Sequence, residues 1–324
     1  MATQDEPTSM DDTTGMLLQR LQAALNDPSF NVRRQAVFAL GELPTDTAIG
    51  LLITSLNDES IGRDAVFELL EMGQAAIQPL LTALAPATVA VRKLIIETLG
   101  FLKAVEIVPY LIVEVQTPAS AVKEEAIVAL GKIGDPQALS SLVTVLTDQD
   151  DALRAVAAIA LGEIGNTEAV PALCVCLRDP WPAVRIAAAN ALGEIGDAEA
   201  VPDLLQLVGD TAIDPEDEHM IPVNVWAIGA LGTIGDQRAV GSLLEVMAQF
   251  NVEAQATNLA DDDPEDELLC FTIEALGKLG AVQAIPYLTR IVEEVPDRES
   301  YILGTAAEVA EEAISRIQKR QSQK

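Results

Sequence analysis

The sequence is a chain of 324 residues in which acidic residues strongly outnumber basic ones. It contains 50 Asp and Glu against 20 Lys and Arg, which gives a formal net charge of −30. Affinity for nucleic acids and anionic membranes depends on Lys and Arg, so this charge excludes both as expected partners. No apolar run approaches the roughly 20 residues that span a bilayer, and the polar start is unlike a secretory signal. We therefore expect no membrane insertion and a cytoplasmic location.

A short phrase built around Leu-Gly recurs along the chain from residue 39 onward. Residues 1–15, which precede the first repeat, are polar and acidic, and they predict a disordered tail. Four motif glycines follow one another at a spacing of 31 residues: Gly100, Gly131, Gly162 and Gly193. The next intervals, to Gly232 and Gly277, grow to 39 and 45 residues. This growth predicts acidic loop insertions at about 209–220 and 249–267.

Each repeat has the pattern of a helical hairpin. Residues 169–177 have a helical apolar period, a Pro-rich break follows, and a second helix runs over 184–195 until Gly196 ends it. A hairpin of about 31 residues cannot bury its apolar stripe alone, so neighbouring hairpins must stack. We predict about eight or nine such hairpins in a single solenoid over residues 16–324, closed by a charged last helix.

The phrase VRIAAANALGEIGD at 184–197 resembles the HEAT-like repeat named after the phycobilisome bilin lyases. The resemblance covers nearly the whole chain and implies an all-α fold, a right-handed α-α superhelix. Proteins with this repeat include bilin lyase subunits, phycobilisome-degradation proteins and iron–sulfur assembly partners. The resemblance implies a protein partner in a photosynthetic setting, such as a phycobiliprotein or a second HEAT-repeat subunit.

Basic residues recur eight positions before the motif glycine, and an aspartate precedes three of them by six positions. This set comprises Asp27, Arg33, Arg92, Asp148, Arg154, Asp179 and Arg185, with Lys123 in the same slot. The pairing could be a binding feature. We favour a structural role, in which the aspartate helps cap the second helix and the arginine reaches the neighbouring repeat.

A second stripe occupies the positions seven and three before the glycine and one after it, a spacing that keeps side chains on one helix face. If the second helices line the inner curve, this stripe forms the floor of a groove. We predict that a partner binds Arg34, Phe38, Arg63, Phe67, Lys93, Phe101, Val128, Ile159, Ile186 and, near one rim, Trp181. The alternative is that the face assignment is one position off and the apolar members are core residues.

The two insertions fall between the first and second helices of successive repeats. They concentrate negative charge along one edge, from Asp210 to Glu218 and from Asp261 to Glu267. This edge is either a docking site for a basic partner, which it would steer by charge, or a solvated loop without a partner.

Residues for catalysis or metal binding are missing from the sequence. The one histidine, His219, lies in the first insertion, and no second histidine exists to build a metal site with it. Cys174 and Cys176 point about 200° apart on a helix, so these two and Cys270 fit helix packing better than a shared site. We expect no catalytic residue, no metal and no cofactor, with a bilin as the exception if the chain is lyase-like.

Three functional hypotheses remain open. The first is a non-catalytic scaffold or chaperone-like adaptor that clamps a partner protein on its concave face. The second is a bilin lyase subunit that attaches or removes a phycobilin at a phycobiliprotein cysteine, in which groove arginines and carboxylates hold the tetrapyrrole. The third is an iron–sulfur assembly partner, whose cluster ligands would come from the other protein.

Overall fold

The computed structural model describes residues 10–217, 219–250, 264–294, 299–300 and 302–323. The chain divides into two compact units, residues 1–135 (unit 1) and residues 136–324 (unit 2). The prediction of a single array over 16–324 stays a prediction.

Unit 1 consists of eight described helices that pair into four hairpins. They are α1 (Met10–Ala24), α2 (Phe30–Gly41), α3 (Asp46–Ser55), α4 (Gly62–Glu71), α5 (Gln74–Leu84), α6 (Val89–Phe101), α7 (Val108–Gln116) and α8 (Lys123–Ile133). The second helices α2, α4, α6 and α8 pack successively on one another. The stacking expected of hairpin repeats is therefore present within this unit.

Unit 2 contains five hairpins in its described part. Its helices are α9 (Leu139–Val145), α10 (Asp151–Ile164), α11 (Val170–Cys176), α12 (Pro182–Ile195), α13 (Val201–Leu204), α14 (Val223–Ile234), α15 (Val240–Gln249), α16 (Pro264–Leu279), α17 (Ile285–Glu294) and α18 (Ala306–Ser322). A 3₁₀ turn extends α13, and a two-residue antiparallel pair, β1 (Glu299–Ser300) and β2 (Gly304–Thr305), precedes α18. With four hairpins in unit 1, the described residues agree with the predicted eight or nine, and the all-α class is confirmed.

The motif glycine lets successive second helices approach closely. A Cβ placed on Gly232 would lie 2.7 Å from Cα of Ala275 on the next second helix, and Gly100 stands in the same relation to Ala129 at 3.0 Å. Any side chain at these positions would force the helices apart. The leucine before each glycine has no exposed surface in Leu40, Leu99, Leu130, Leu161, Leu192, Leu231 and Leu276. Gly and Leu together therefore define the buried side of the second helices.

The helix ends follow the sequence expectations closely. Gly165 and Gly196 have φ of +69° and +74°, a left-handed conformation that costs glycine little, and each caps the C-terminus of a second helix. The next residue then accepts a hydrogen bond within the following turn, as Asp197 Oδ1 does from the Glu199 N–H at 2.9 Å. These two residues separate one hairpin from the next.

Two predicted boundaries are wrong. Residues 10–15, expected in a disordered tail, form the start of α1, while residues 1–9 lie outside the described residues. Residues 264–267, expected in the second insertion, are the first turn of α16, and residues 251–263 are again outside the description. The first insertion is partly ordered by a β-bridge between Ile213 and Pro222. Acidic composition alone misplaced both helix starts, because Asp and Glu are favourable in the first turn of a helix.

Among the described residues, no helix combines the length and the apolar character needed to cross a bilayer.

Candidate functional site

Several side chains of the predicted stripe are exposed in unit 1. We define wall 1 as the stripe residues of α2, α4, α6 and α8, namely Arg34, Phe38, Glu42, Arg63, Phe67, Glu71, Lys93, Glu97, Phe101, Glu124, Val128 and Lys132. Phe67 is 63% exposed and Phe101 is 51% exposed, and Val128 is also exposed. Large apolar side chains of this exposure are unusual when they recur on one face.

Three of the four cations of wall 1 are paired with carboxylates on the next second helix. Arg34 Nε lies 3.1 Å from Asp64 Oδ2, and Arg63 Nη1 donates to both carboxylate oxygens of Glu97 at 2.8 and 2.6 Å. Lys93 Nζ lies 2.5 Å from Glu125 Oε1. Asp64 and Glu125 were not predicted, since each stands one position after a stripe residue and the sequence does not give the helix orientation that finely.

Two aromatic rings on wall 1 are covered by cations. The Arg34 guanidinium carbon lies 5.1 Å from the centre of the Phe38 ring, and Lys132 Nζ lies 4.4 Å from the centre of the Phe101 ring. Such contacts hold the cation over the ring face. Phe38 is half-buried. It is therefore less exposed than its place on a solvent-facing stripe predicted, and that prediction is wrong for Phe38.

A groove of about 300 Å³ lies between α4, α6 and α8. Its apolar lining is Leu94, Phe101, Val128 and Ala129, and its charged lining is Arg63, Lys93, Lys132, Glu97, Glu124 and Glu125. Four of the ten predicted partner-binding residues, Arg63, Lys93, Phe101 and Val128, thus meet at one concave site. The groove has an apolar floor with charges of both signs around it, as protein-binding sites commonly do.

The corresponding stripe of unit 2 is less charged. We define wall 2 as Ala155, Ile159 and Glu163 on α10 and Ile186, Asn190 and Glu194 on α12. Ile159 is 49% exposed, whereas Ile186 is half-buried and so departs from the prediction. Burial against α10 raises the pKa of the Glu194 carboxyl above its ordinary value, and the Glu163 carboxylate raises it further.

Trp181 lies at the N-cap of α12, in the turn between the two helices of its hairpin. The residue is exposed, and its backbone N–H donates to Asp179 Oδ1 at 2.9 Å. It belongs to neither wall. Trp226 is half-buried and packs its ring against that of Phe271, 6.3 Å away between centres, which agrees with a packing role.

The arginines eight positions before the glycine form what we call the arginine ladder. Arg154 Nε and Nη2 donate to the two carboxylate oxygens of Asp179 at 2.8 and 2.9 Å, and Nη1 donates to the Asp148 carbonyl oxygen at 2.9 Å. Arg185 repeats this pattern with Asp210 and the Asp179 carbonyl. Each arginine therefore joins the turn of its own hairpin to the turn of the next one.

In unit 1, Arg33 forms a rung of the same kind. Its Nε lies 2.9 Å from Asp58 Oδ2, and its Nη1 donates to the Asp27 carbonyl oxygen at 2.9 Å. The acceptor lies 25 residues after the arginine in all three rungs, a spacing by which Asp58 and Asp210 could have been found in the sequence. Arg92 lacks such a partner among the described residues.

The ladder aspartates also shape the turn in which they stand. The carboxylates of Asp27, Asp148 and Asp179 each accept a hydrogen bond from the backbone N–H two residues later, at 2.8 to 3.1 Å. That N–H belongs to the residue immediately before the second helix. The aspartates therefore order the helix entrance from two positions before the N-cap residue, whereas the sequence suggested that they cap the helix.

The acidic edge contains fewer free carboxylates than its composition suggests. Asp210 forms an ion pair with Arg185. Asp217 accepts hydrogen bonds from the backbone N–H groups of His219 and Ile221 at 3.0 and 2.9 Å. Asp266 and Glu267, counted with the second insertion, are buried in α16. Residues 261–263 lie outside the described part of the chain, so the role of this edge stays a prediction.

No described group of three or more His, Cys, Asp or Glu residues could hold a metal ion. The three cysteines are buried, and none of them forms a disulfide with another described residue. Burial raises the pKa of the Cys174 and Cys176 thiols to about 11, with the Asp203 and Asp179 carboxylates adding to the respective shifts. These thiols are therefore protonated at neutral pH and unreactive.

Comparisons with known proteins place the repeats in a family. The model for HEAT repeats matches residues 17–88, 77–158 and 140–216, and the model for the PBS lyase HEAT-like repeat matches residues 223–249. No curated protein matches the sequence.

Among solved structures, importin beta is similar over 95% of this chain and 50% of that chain, with 12% identity and a TM-score of 0.67. This chain thus spans half the length of importin beta. An engineered protein is 17% identical over 93% of this chain and 88% of that chain, with a TM-score of 0.48. The complex of CpcE and CpcF of phycocyanin lyase from Nostoc sp. PCC7120 is 19% identical over 91% of this chain and 98% of that chain, with a TM-score of 0.37. The importin beta score shows a shared fold, which the two lower scores cannot establish.

The repeat phrase, the stacked hairpins and the family models agree, and the chain belongs to the HEAT-repeat family, with one repeat of the PBS lyase HEAT-like type.

Proposed function

We propose that this chain is a non-catalytic scaffold that binds a partner protein on wall 1. The observation that carries the proposal is the pair of exposed rings, Phe67 and Phe101, beside a groove with an apolar floor. Aromatic side chains contribute strongly to protein interfaces because they bury much apolar area with little loss of conformational freedom.

The charge arrangement favours a protein over a small charged ligand. The wall cations Arg63 and Lys93 are already paired with Glu97 and Glu125, so the surface carries charges of both signs rather than one strong field. A partner must therefore match a mixed pattern around an apolar centre, which is the usual form of a specific protein interface. The phosphates of nucleic acid would find no basic patch here.

The experiment uses two exposed apolar residues of unit 1 on different helices. Phe67→Glu alters wall 1, whereas Val113→Glu alters the outer helix α7, and both side chains are exposed enough that unfolding is not expected. The tagged chain is first used to capture and identify its partner from native cells by mass spectrometry. With that partner purified, Phe67→Glu should weaken binding about tenfold or more, and Val113→Glu should leave it unchanged.

Binding that survives both Phe67→Glu and Phe101→Glu at full strength would place the interface elsewhere. Circular dichroism of each variant gives the control, because an unfolded Phe67→Glu chain would mean that the ring is part of the core. Phe38 is omitted from the test since it is half-buried under Arg34.

The partner we propose is a phycobiliprotein, a protein of its assembly, or a second HEAT-repeat subunit. The support is the match of residues 223–249 to the PBS lyase HEAT-like repeat. The second candidate function, a bilin lyase subunit, has the same support, together with three groove cations, Arg63, Lys93 and Lys132, of the kind that hold propionates. Incubation with bilin and apo-phycobiliprotein, with and without a candidate second subunit, tests it. A covalent adduct supports the lyase function, and its absence in both mixtures refutes it.

The iron–sulfur hypothesis gains no support from the described residues. Cys174 and Cys176 have thiols with raised pKa values of about 11 and lie buried in α11. Cluster ligands are thiolates, so these two would enter a site only at a large cost. The cluster of such a partner would have to be held by that partner's own ligands.

A further inference from the structure

Two charged side chains of the groove on wall 1 are not compensated by a neighbour. The groove is lined by three basic and three acidic residues, and four of these form the two ion pairs that join α4 to α6 and α6 to α8. The other two, Glu124 and Lys132, form no ion pair with a described residue. Glu124 is exposed, and Lys132 is half-buried with its ammonium group over the Phe101 ring. The groove is therefore neutral in sum but keeps one uncompensated charge of each sign.

These two charges lie at opposite ends of one stripe on α8. Glu124, Val128 and Lys132 follow one another at steps of four residues, which keeps them close to one face of the helix. Eight residues of α-helix span about 12 Å, so the acid and the base are about that far apart along the helix axis. Val128 is exposed between them. From its N-terminus to its C-terminus, α8 thus presents an acid, an apolar side chain and a base.

The other side of the groove, α6, has the same spacing. Lys93, Glu97 and Phe101 also follow one another at steps of four residues. The carboxylates and cations that pair with Lys93 and Glu97 leave little charge on this side. Phe101 is 51% exposed, so its ring is the main surface that α6 offers to a partner. The two sides together form an apolar channel that is negative near the start of α8 and positive near its end.

This arrangement restricts what part of a partner protein can enter the groove. A segment with charges of only one sign would be attracted to one end of the groove and repelled from the other. A complementary segment needs a cation near Glu124, an anion near Lys132 and an apolar side chain between them. Side chains at steps of four residues form ridges that pack against ridges of the same step on another helix, so both sides of the groove suit a helix.

We propose that the groove binds an amphipathic helix of the partner protein that runs antiparallel to α8. In its own N-to-C direction this helix carries an acidic residue opposite Lys132, an apolar residue against Val128 and Phe101, and a basic residue opposite Glu124. The antiparallel direction places the acid toward the N-terminus of the bound helix and the base toward its C-terminus, where each also offsets the helix dipole. The inference rests on the proposed binding of a protein to wall 1 and specifies the element that enters the groove.

The probes are two synthetic peptides of identical composition. The acid-first peptide has Glu, Leu and Lys at steps of four residues in a background of Ala and Gln, and the base-first peptide has the Glu and Lys exchanged. A side-chain crosslink on the opposite face keeps both helical, so they differ only in the order of their charges. With the full chain, fluorescence anisotropy should show that the acid-first peptide binds about fivefold more tightly than the base-first peptide.

Exchanging the two charges of the groove should reverse this preference. The double variant Glu124→Lys, Lys132→Glu keeps the net charge of −30 and should bind the base-first peptide more tightly. The single variant Glu124→Gln, at an exposed position, should reduce the preference about twofold. The matched control is Glu311→Lys, Lys319→Glu on α18, where an exposed acid and an exposed base have the same eight-residue spacing outside the groove. That exchange should leave the preference unchanged.

The absence of binding by either crosslinked peptide at millimolar concentration would overturn the proposal, as would a preference that ignores the exchange in α8. Tighter binding of an uncrosslinked peptide with Glu, Leu and Lys at steps of two residues would replace the helix by an extended segment. The partner captured from native cells separates this proposal from the proposed function. If Phe67→Glu weakens binding of that partner and the exchange in α8 does not, wall 1 binds a protein but the groove does not take such a helix.

Discussion

Walls 1 and 2 arise from the same repeat but differ in how their charges are arranged. On α2, α4 and α6, wall 1 has a cation at the position seven before the glycine slot and pairs it with an acid on the next second helix, as in Arg63 with Glu97. Wall 2 has Ala155 and Ile186 at these positions. The arginine ladder differs in the other direction. In unit 2, Arg154 and Arg185 each form the ladder ion pair, whereas in unit 1 Arg92 forms none among the described residues. Ion pairs inside the repeat interface and ion pairs on the wall are therefore separate features with separate roles.

The largest expected effect comes from removing a ladder arginine. Arg154 and Asp179 side chains are only 11% and 10% exposed, so Arg154→Gln leaves a nearly buried carboxylate without its partner. We expect a loss of roughly 3 kcal/mol in the free energy of unfolding.

Arg63→Gln is the matched change on wall 1. Arg63 is 67% exposed, so its ion pair with Glu97 should contribute less than about 1 kcal/mol. Chemical denaturation of the two variants measures both values. Equal losses of unfolding free energy in the two variants would mean that the buried ladder ion pair contributes no more to stability than the exposed ion pair on wall 1.

The next effect concerns the close approach of the second helices. Gly232→Ala puts a methyl group 2.7 Å from the backbone of Ala275, and we expect a loss of about 1–3 kcal/mol. Gly241→Ala, in the outer helix α15 with nothing within 4 Å, should instead add roughly 0.5 kcal/mol. Thermal unfolding of both variants gives the comparison, and a stabilising Gly232→Ala would refute the tight contact.

The smallest expected effect is a dependence on pH. Burial, followed by repulsion from Glu42, Glu71 and Asp64, raises the pKa of Glu68, and burial followed by Glu163 raises that of Glu194. A carboxyl whose pKa is higher in the folded chain binds more protons there, so stability falls as the pH rises from the unfolded pKa through the folded one.

Glu68→Gln and Glu194→Gln should therefore raise the unfolding midpoint slightly at pH 7 and lose this advantage near pH 4. Melting curves across that range, with exposed Glu106→Gln as the control, test the sign. A gain that grows as the pH falls would contradict it.

The sequence alone predicted the features that depend on spacing. The recurring glycine located the hairpins, and a step of four residues placed Phe67, Phe101 and Ile159 each on the exposed side of its own helix. It did not predict the partners Asp64 and Glu125, since these depend on the rotation of each helix against the next. It also misplaced the start of α16, where Asp266 and Glu267 are acidic but buried. Acidic residues are exposed on average, but the packing around an individual residue determines whether its side chain is buried.

Successive hairpins in this part of the chain are joined by two contacts, a close Gly–Ala approach of the second helices and an Arg–Asp ion pair. Residues 166–196 carry both attachments on both sides, with Gly162 against Ala191 and Gly193 against Ala230, and with Arg154 to Asp179 and Arg185 to Asp210. This segment therefore forms the same two types of contact with the hairpin before it as with the hairpin after it. A tandem copy of it inserted after residue 196 would meet matching surfaces at both junctions, so the protein could be lengthened by one hairpin without redesigning either neighbour.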